Sequence, residues 1–284
     1  MADVYVNNWF EFMTAIGNQG DKVILPENGD WDMADVLPYG INGFLILCAE
    51  IDGRGTAIKN LLLNRCIEIG YGVTIKNLQM LDWMCDNDSS DAESPTNAVF
   101  FGGPLELKTC VFSGIMANFI KWFYSGSLIM YNCSINIETA GRYFEISLDD
   151  DPPGGHFDYC RIEIKGNNLN RTYPIQAKCN FSEIVIYAPN LDDTSESFYR
   201  GFHSYYFSGC VLRGNTQGIT NDWSVYDYYG TLGFVSVYDT ATFASTFLPA
   251  DDDLTVGCTD EELKDPLYLR EKGFPIVVPD GGDA

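Results

Sequence analysis

Acidic side chains dominate the stretches of this sequence that could do chemistry. "LDDDPPGGHFDY" (Leu148–Tyr159) gathers Asp149, Asp150, Asp151, His156 and Asp158. A glycoside hydrolase needs two carboxylates roughly 5–9.5 Å apart, one as acid and one as nucleophile or base. A polysaccharide lyase would need calcium-binding acids and a basic residue near the sugar C5. The plainer reading is a surface loop, because Pro-Pro-Gly-Gly is turn chemistry and the flanking acids keep it solvated. The loop reading is preferred, and no catalytic residue is assigned. "CDNDSSDAE" (Cys85–Glu93) and "ADDDL" (Ala250–Leu254) faintly resemble calcium loops. The first lacks the central Gly and the twelfth-position Glu of such a loop, and the second is similar. Both read as solvated acidic loops, so no metal and no cofactor are expected.

Composition narrows the field further. The chain has 284 residues, 46 % of them hydrophobic, enough for a sizeable core. Asp and Glu number 40 against 17 Lys and Arg, a formal charge of −23. That field repels phosphate backbones and anionic membranes, so neither nucleic acid nor membrane is expected as a partner. It also disfavours an anionic glycan unless a metal bridges the two. Met1 opens directly into "ADVYVNNWF" with no basic and apolar leader, so synthesis in a cytoplasm is expected. The nine cysteines lack C-x₂-C spacing and only two histidines accompany them. Reduced thiols are therefore expected rather than disulfides or a zinc site.

Two aromatic stretches are the other candidates. "SFYRGFHSYYF" carries Tyr199, Tyr205 and Tyr206, and "NDWSVYDYYG" carries Trp223, Tyr228 and Tyr229. Aromatic faces beside Asp and Asn bind sugars, and they also make protein interfaces. In a strand, about half of them would be core.

The elements that position these residues repeat. "AIKNLLL" and "TIKNLQM" share I-K-N-L at a spacing of 17 residues. Aligned on that Asn, a column emerges: Asn60, Asn77, Cys110, Cys133, Cys160, Ser182 and Cys210. The steps are 17, 33, 23, 27, 22 and 28 residues, the longest containing the polar insertion after Cys85. Apolar residues follow at Phe112, Ile135, Ile162, Ile184 and Leu212. A period of roughly 20–28 residues is solenoid territory. "LELKTCVF" and "HFDYCRIEIK" alternate as strands do, with no helical period. The expected fold is all-β: a single-stranded right-handed parallel β-helix, one coil per repeat. The column is expected to be an inward structural ladder, each side chain stacked on its copy in the next coil.

The ends depart from the repeat. Residues 1–20 are expected to form a capping helix, with Asn8 and Glu11 as a capping box and Gly17 or Gly20 as the stop. "DKVILPENGDWDM" reads as a first strand and turn. Residues 21–247 form the β-helix. Residues 248–284 form a C-terminal arm with short helices, starting at Thr259 and Asp265, that must bury Leu267, Tyr268, Leu269, Phe274 and Ile276 somewhere.

The opening helix, its "VILP" strand and "IDGRGT" resemble the cap and first coil of pectate-lyase-like β-helix proteins. The wider combination "WDMADVLPYGI…IDGRGTAIKNLLL…GVTIKNLQML" with "DPLYLREKGFPIV" resembles parallel β-helix structural proteins of tailed bacteriophages. That resemblance implies a virion component made in the host cytoplasm: a capsid decoration, a fibre or a tail appendage. Its implied partners are other virion proteins, a homo-oligomer (most naturally a trimer) and a host surface glycan. A receptor-binding or polysaccharide-degrading tailspike is the alternative. The N-x-D, D-D, G-H-G and R-x-K set of polygalacturonase-like β-helices is missing; "GGH" occurs but "GHG" does not.

Overall fold

A computed structural model describes residues 2–85, 98–117, 121–124, 127–139, 143–146, 155–166, 171–175, 178–180, 182–187, 201–204, 206–208, 210–215, 224–227, 234–238 and 255–258. Short parallel strands wind into a β-solenoid whose three principal sheets are its walls. The first sheet stacks nine strands, from Asp3–Tyr5 and Lys22–Ile24 to Tyr206–Ser208. The second runs from Asp30–Asp32 through Ala57–Lys59 and Gln79–Leu81 to Thr255–Cys258. The third runs from Phe44–Ile46 to Arg171–Ile175.

The sequence dictates this winding through alternation. In the first sheet Val23, Ile51, Ile75, Leu107, Met130, Phe157 and Cys179 are in register and buried. From Ile51 to Phe157 their neighbours on either side are polar or exposed, whereas Ile24 beside Val23 is buried. In the second sheet Ile58, Met80, Phe112, Ile135, Ile162 and Ile184 form a parallel stack, so the apolar positions expected after the column do line one wall. Each such side chain contributes about 1.5–3 kcal/mol by leaving water.

The corner between the first two sheets is built one way in coil after coil. One residue takes a left-handed conformation and turns the chain; the next points inward. Asn77 (φ 53°), Thr109 (φ 53°), Asn132 (φ 52°) and Tyr159 (φ 54°) make the turn. Leu78, Cys110, Cys133 and Cys160 follow them inward, each at most 2 % exposed. One coil earlier the corner holds Gly53, where a Cβ would lie 2.5 Å from the Asn77 carbonyl oxygen and 2.7 Å from Leu78 Cα. Only glycine fits so close to the backbone of the next coil.

The N-terminal end is covered as expected, with more structure than a helix alone. Trp9–Ile16 is an α-helix, with Asn8 as its cap: Asn8 Oδ1 accepts from Glu11 N–H at 3.0 Å, and Glu11 accepts from Asn7 N–H at 2.8 Å. Gly17 ends it. Trp9, Phe12, Ala15 and Ile16 close the core, with Trp9 against Phe44 and Phe12 against Trp31. Asp3–Tyr5, however, is a strand paired with Lys22–Ile24, so part of the cap belongs to the first sheet. A second short helix, Met33–Val36, stands where only a turn was expected; Asp32 caps it by accepting from Ala34 N–H at 3.0 Å. At the other end, Thr255–Cys258 pairs in parallel with Phe234–Val237, so the ladder continues past residue 247 into the stretch expected to be an arm.

Candidate functional site

The sequence column divides into two structural sets. Cys110, Cys133, Cys160 and Ser182 are stacked, because Val111, Ser134, Arg161 and Glu183 pair in series directly after them. The backbone of Cys210 follows in the same line, before Val211; its side chain lies outside the described residues. Asn60 and Asn77 do not belong to the stack. Register places Leu78 beside Cys110 and Thr56 beside Leu78. Asn77 is the turning residue one position earlier, and Asn60 stands at another bend, aligned with Asp82 and Gly114. Both need the left-handed conformation that Asn tolerates, which is why the phrase repeats. Their amides are not stacked: Asn60 donates to Asp32 at 2.9 Å and Asn77 to Asp52 at 3.2 Å.

Within the stack each group reaches the carbonyl two residues back. The sulfur of Cys110 lies 3.4 Å from Lys108 O, that of Cys133 3.4 Å from Tyr131 O and that of Cys160 3.3 Å from Asp158 O. Ser182 repeats the pattern with oxygen, donating to Asn180 O at 2.9 Å and accepting from Cys160 N–H at 3.0 Å. The neighbouring Cys133 side chain, together with burial, holds the Cys110 and Cys160 thiols well above the ordinary range. Burial alone pushes Cys85 up to about 12. The described cysteines are free thiols. This is an interior packing element: Cys110, Cys133, Cys160 and Ser182 are each at most 2 % exposed.

Acids and lysines share the outward face of the first sheet. Glu50 lies between Lys22 at 3.2 Å and Lys76 at 2.8 Å, and Lys76 also reaches Asp52 at 3.4 Å. Glu106 takes Lys108 at 2.8 Å and the Thr74 hydroxyl at 2.8 Å. Lys76 holds the Glu50 carboxyl below its usual range, and Lys108 does the same for Glu106. At Asp52 burial acts upward, but Asn77, Lys76 and the Arg54 N–H together bring it down. Carboxylates held ionised in this way suit structure better than proton transfer to a leaving group.

Further along the same face the surface changes character. Ile129 and Tyr131 are 40 % and 48 % exposed, and Tyr131 meets Tyr159 edge-on at 5.7 Å. Beside them His156, Asp158 and Asn180 form a compact polar cluster, with Asp158 and Asn180 paired on adjacent strands. The stretch read as one loop therefore ends in a strand, His156–Asp158, that buries Phe157 and turns its two polar neighbours outward. Asn180 was not singled out from sequence; its signal is the K-C-N strand, 22 residues after H-F-D.

The N-terminal end carries a third feature. An open groove of about 450 Å³ is lined by Val4, Tyr5, Val6, Phe10, Glu11, Thr14, Ala15 and Asn18. Tyr5 and Phe10 are two-thirds exposed there. The enclosed space beneath the cap is only about 10 Å³ and lined wholly by apolar side chains. No three side chains drawn from His, Cys, Asp and Glu alone converge as a metal site among the described residues, and no helix there is long and apolar enough to cross a membrane.

The remaining expected positions lie outside the described residues: Asp149–Asp151, Tyr199, Tyr205, Trp223, Tyr228, Tyr229, Leu267, Tyr268, Leu269, Phe274 and Ile276. Tyr206 is described only in its backbone, as a strand residue in register with Lys178. Comparison with protein families, curated proteins and solved structures finds no match to this chain.

Proposed function

We propose that the chain is a non-enzymatic structural protein of a tailed-bacteriophage particle, a capsid decoration, fibre or tail appendage working through protein–protein contacts. One observation carries the contact reading. Seven of the exposed large apolar residues gather at three places fit for contact, while Glu50, Asp52 and Glu106 on the first sheet are each paired with a lysine. The Tyr5–Phe10 groove lies at one end, and Ile129, Tyr131 and Tyr159 lie on one wall. Met84 and Met116 add an exposed pair in register on the second sheet. Tyr and Met are residues that interfaces enrich. The phage setting rests on the resemblance of the phrases at the two ends of the sequence.

A second reading is a receptor-binding or polysaccharide-degrading tailspike, favoured by the neighbourhood of Tyr131 and Tyr159 with Asp158 and Asn180: aromatic faces beside polar groups suit sugars. Binding to a panel of bacterial surface polysaccharides, together with release of reducing ends from them, separates the readings. The structural protein shows neither above a buffer control. Sustained release, lost on changing Asp149–Asp151 to alanine, would establish a depolymerase instead.

A further inference from the structure

We propose that His156, Asp158 and Asn180 form a binding site for one first-row divalent transition-metal ion on the outer face of the first sheet. Three polar atoms meet there at nearly equal distances. His156 Nε2 lies 2.9 Å from Asp158 Oδ1, Asn180 Nδ2 lies 2.7 Å from the same oxygen, and Asn180 Nδ2 lies 3.0 Å from His156 Nε2.

Hydrogens cannot satisfy all three edges of this triangle. With Asp158 ionised, Asp158 Oδ1 only accepts. If His156 Nε2 carries a proton and donates to Asp158, it faces the Asn180 N–H donor to donor. If His156 Nε2 is bare, it accepts from Asn180 but faces Asp158 Oδ1 lone pair to lone pair. Turning the Asn180 amide over, an assignment that exchanges oxygen and nitrogen, replaces one conflict by an oxygen–oxygen contact. A cation resolves every edge, because all three groups can then present lone pairs: imidazole nitrogen, carboxylate oxygen and amide oxygen. An octahedral ion with bonds of about 2.1 Å sets neighbouring donors about 3.0 Å apart, close to the observed triangle. One imidazole with two oxygens suits Mn²⁺, Fe²⁺, Co²⁺, Ni²⁺ or Zn²⁺ rather than Ca²⁺.

Strand pairing sets the positions of the three residues. His156 and Asp158 are alternate residues of one strand, anchored by Phe157 between them, which is fully buried. Asn180 is the register partner of Asp158 on the next strand. The His156 and Asp158 side chains are 42 % and 28 % exposed, so an ion would keep open positions for water or a partner's ligand. Lys178 pairs with His156 in the backbone ladder, and its side chain lies outside the described residues. The charge of −23 draws cations to the surface. The site is independent of the proposed function.

Titration of the purified protein with Co²⁺, followed by calorimetry and visible absorption, tests this. The expected result is one ion per chain, with weak bands of nitrogen–oxygen ligation and no thiolate charge transfer. His156→Ala, Asp158→Asn and Asn180→Ala should each weaken binding at least about tenfold while leaving the melting temperature nearly unchanged. Should a variant fold poorly, the native protein still reports: Co²⁺ should shift the imidazole proton resonances of one of the two histidines, and still do so in His203→Gln. No saturable binding at millimolar Co²⁺, undiminished binding in His156→Ala, or thiolate bands would overturn the site.

Discussion

Asn60 and Asn77 occupy two different bends of the solenoid, although each ends the same I-K-N phrase and each has a φ near +55° (56° and 53°). The structural repeat is instead Ile58 to Met80, one coil of 22 residues. The recurring phrase encodes a local device: a β-branched residue facing in, a lysine facing out, an asparagine that turns the chain and a leucine that buries itself. Ile58, Leu61, Ile75 and Leu78 are each at most 1 % exposed.

That device yields a test at Thr109, a β-branched residue held at φ 53° where neighbouring coils use Asn77 and Asn132. Left-handed backbone costs an ordinary L-residue roughly 1–2 kcal/mol, and Asn less. Thr109→Asn should therefore stabilise the protein by about 1 kcal/mol. Urea unfolding would show a higher midpoint with an unchanged slope. A lower midpoint would mean that the Thr109 side chain makes a contact worth more than the strain.

The buried column predicts opposite fates for two changes at Cys133, which is 2 % exposed. Cys133→Ser should fold and lose only about 1 kcal/mol, since Ser182 shows that a hydroxyl here is satisfied by the carbonyl two residues back. Cys133→Asp would leave an unpaired charge between coils, a cost of several kcal/mol, and should not yield folded protein. Thiol labelling gives the complementary measurement: Cys110, Cys133 and Cys160 should resist reagent until denaturant is added. Rapid native labelling at these positions would refute the register.

The charged wall predicts how stability follows pH. Glu50, Asp52 and Glu106 have folded-state values held below their usual ones, so the unfolded chain takes up protons first on acidification. Their contribution is present above about pH 4.5 and is lost as pH falls through the depressed values. Lys76 is raised, chiefly by Glu50, so its contribution is present below about pH 10.4 and fades above that. The buried thiols of Cys48 and Cys85, pushed up by burial, add a loss that begins above about pH 8.5, so the melting temperature should be flat from about pH 4.5 to about 8.5 and fall outside that range. Glu50→Gln should lower stability on the order of 1 kcal/mol and soften the acid side, less so at high salt.

Much of the winding was legible because alternation and a period of roughly 20–28 residues leave few other folds. The apolar stack Phe112, Ile135, Ile162 and Ile184 was read correctly because in-register parallel pairing repeats chemistry at one position. The column failed at its head, because Asn60 and Asn77 match in words while sitting at different bends. Sequence identity over four letters cannot distinguish two corners that share a backbone conformation. The first strand carries no sequence signal, because Asp3–Tyr5 has only three residues and no alternation to count. The His156 cluster was half visible: His156 and Asp158 stood out as chemistry, but Asn180 joins them only through strand pairing. Turn chemistry at Pro152 and Pro153 drew the whole stretch into a loop reading.

The proposed role, a component of a phage particle that works through its contacts, can be read from particles themselves. The most direct measurement is quantitative mass spectrometry of density-purified particles from cells carrying the encoding sequence. A particle component is expected at a fixed ratio to the major shell or tail protein, retained through a salt wash. Particles that lack the chain, with all of it left in the unassembled fraction, would contradict it.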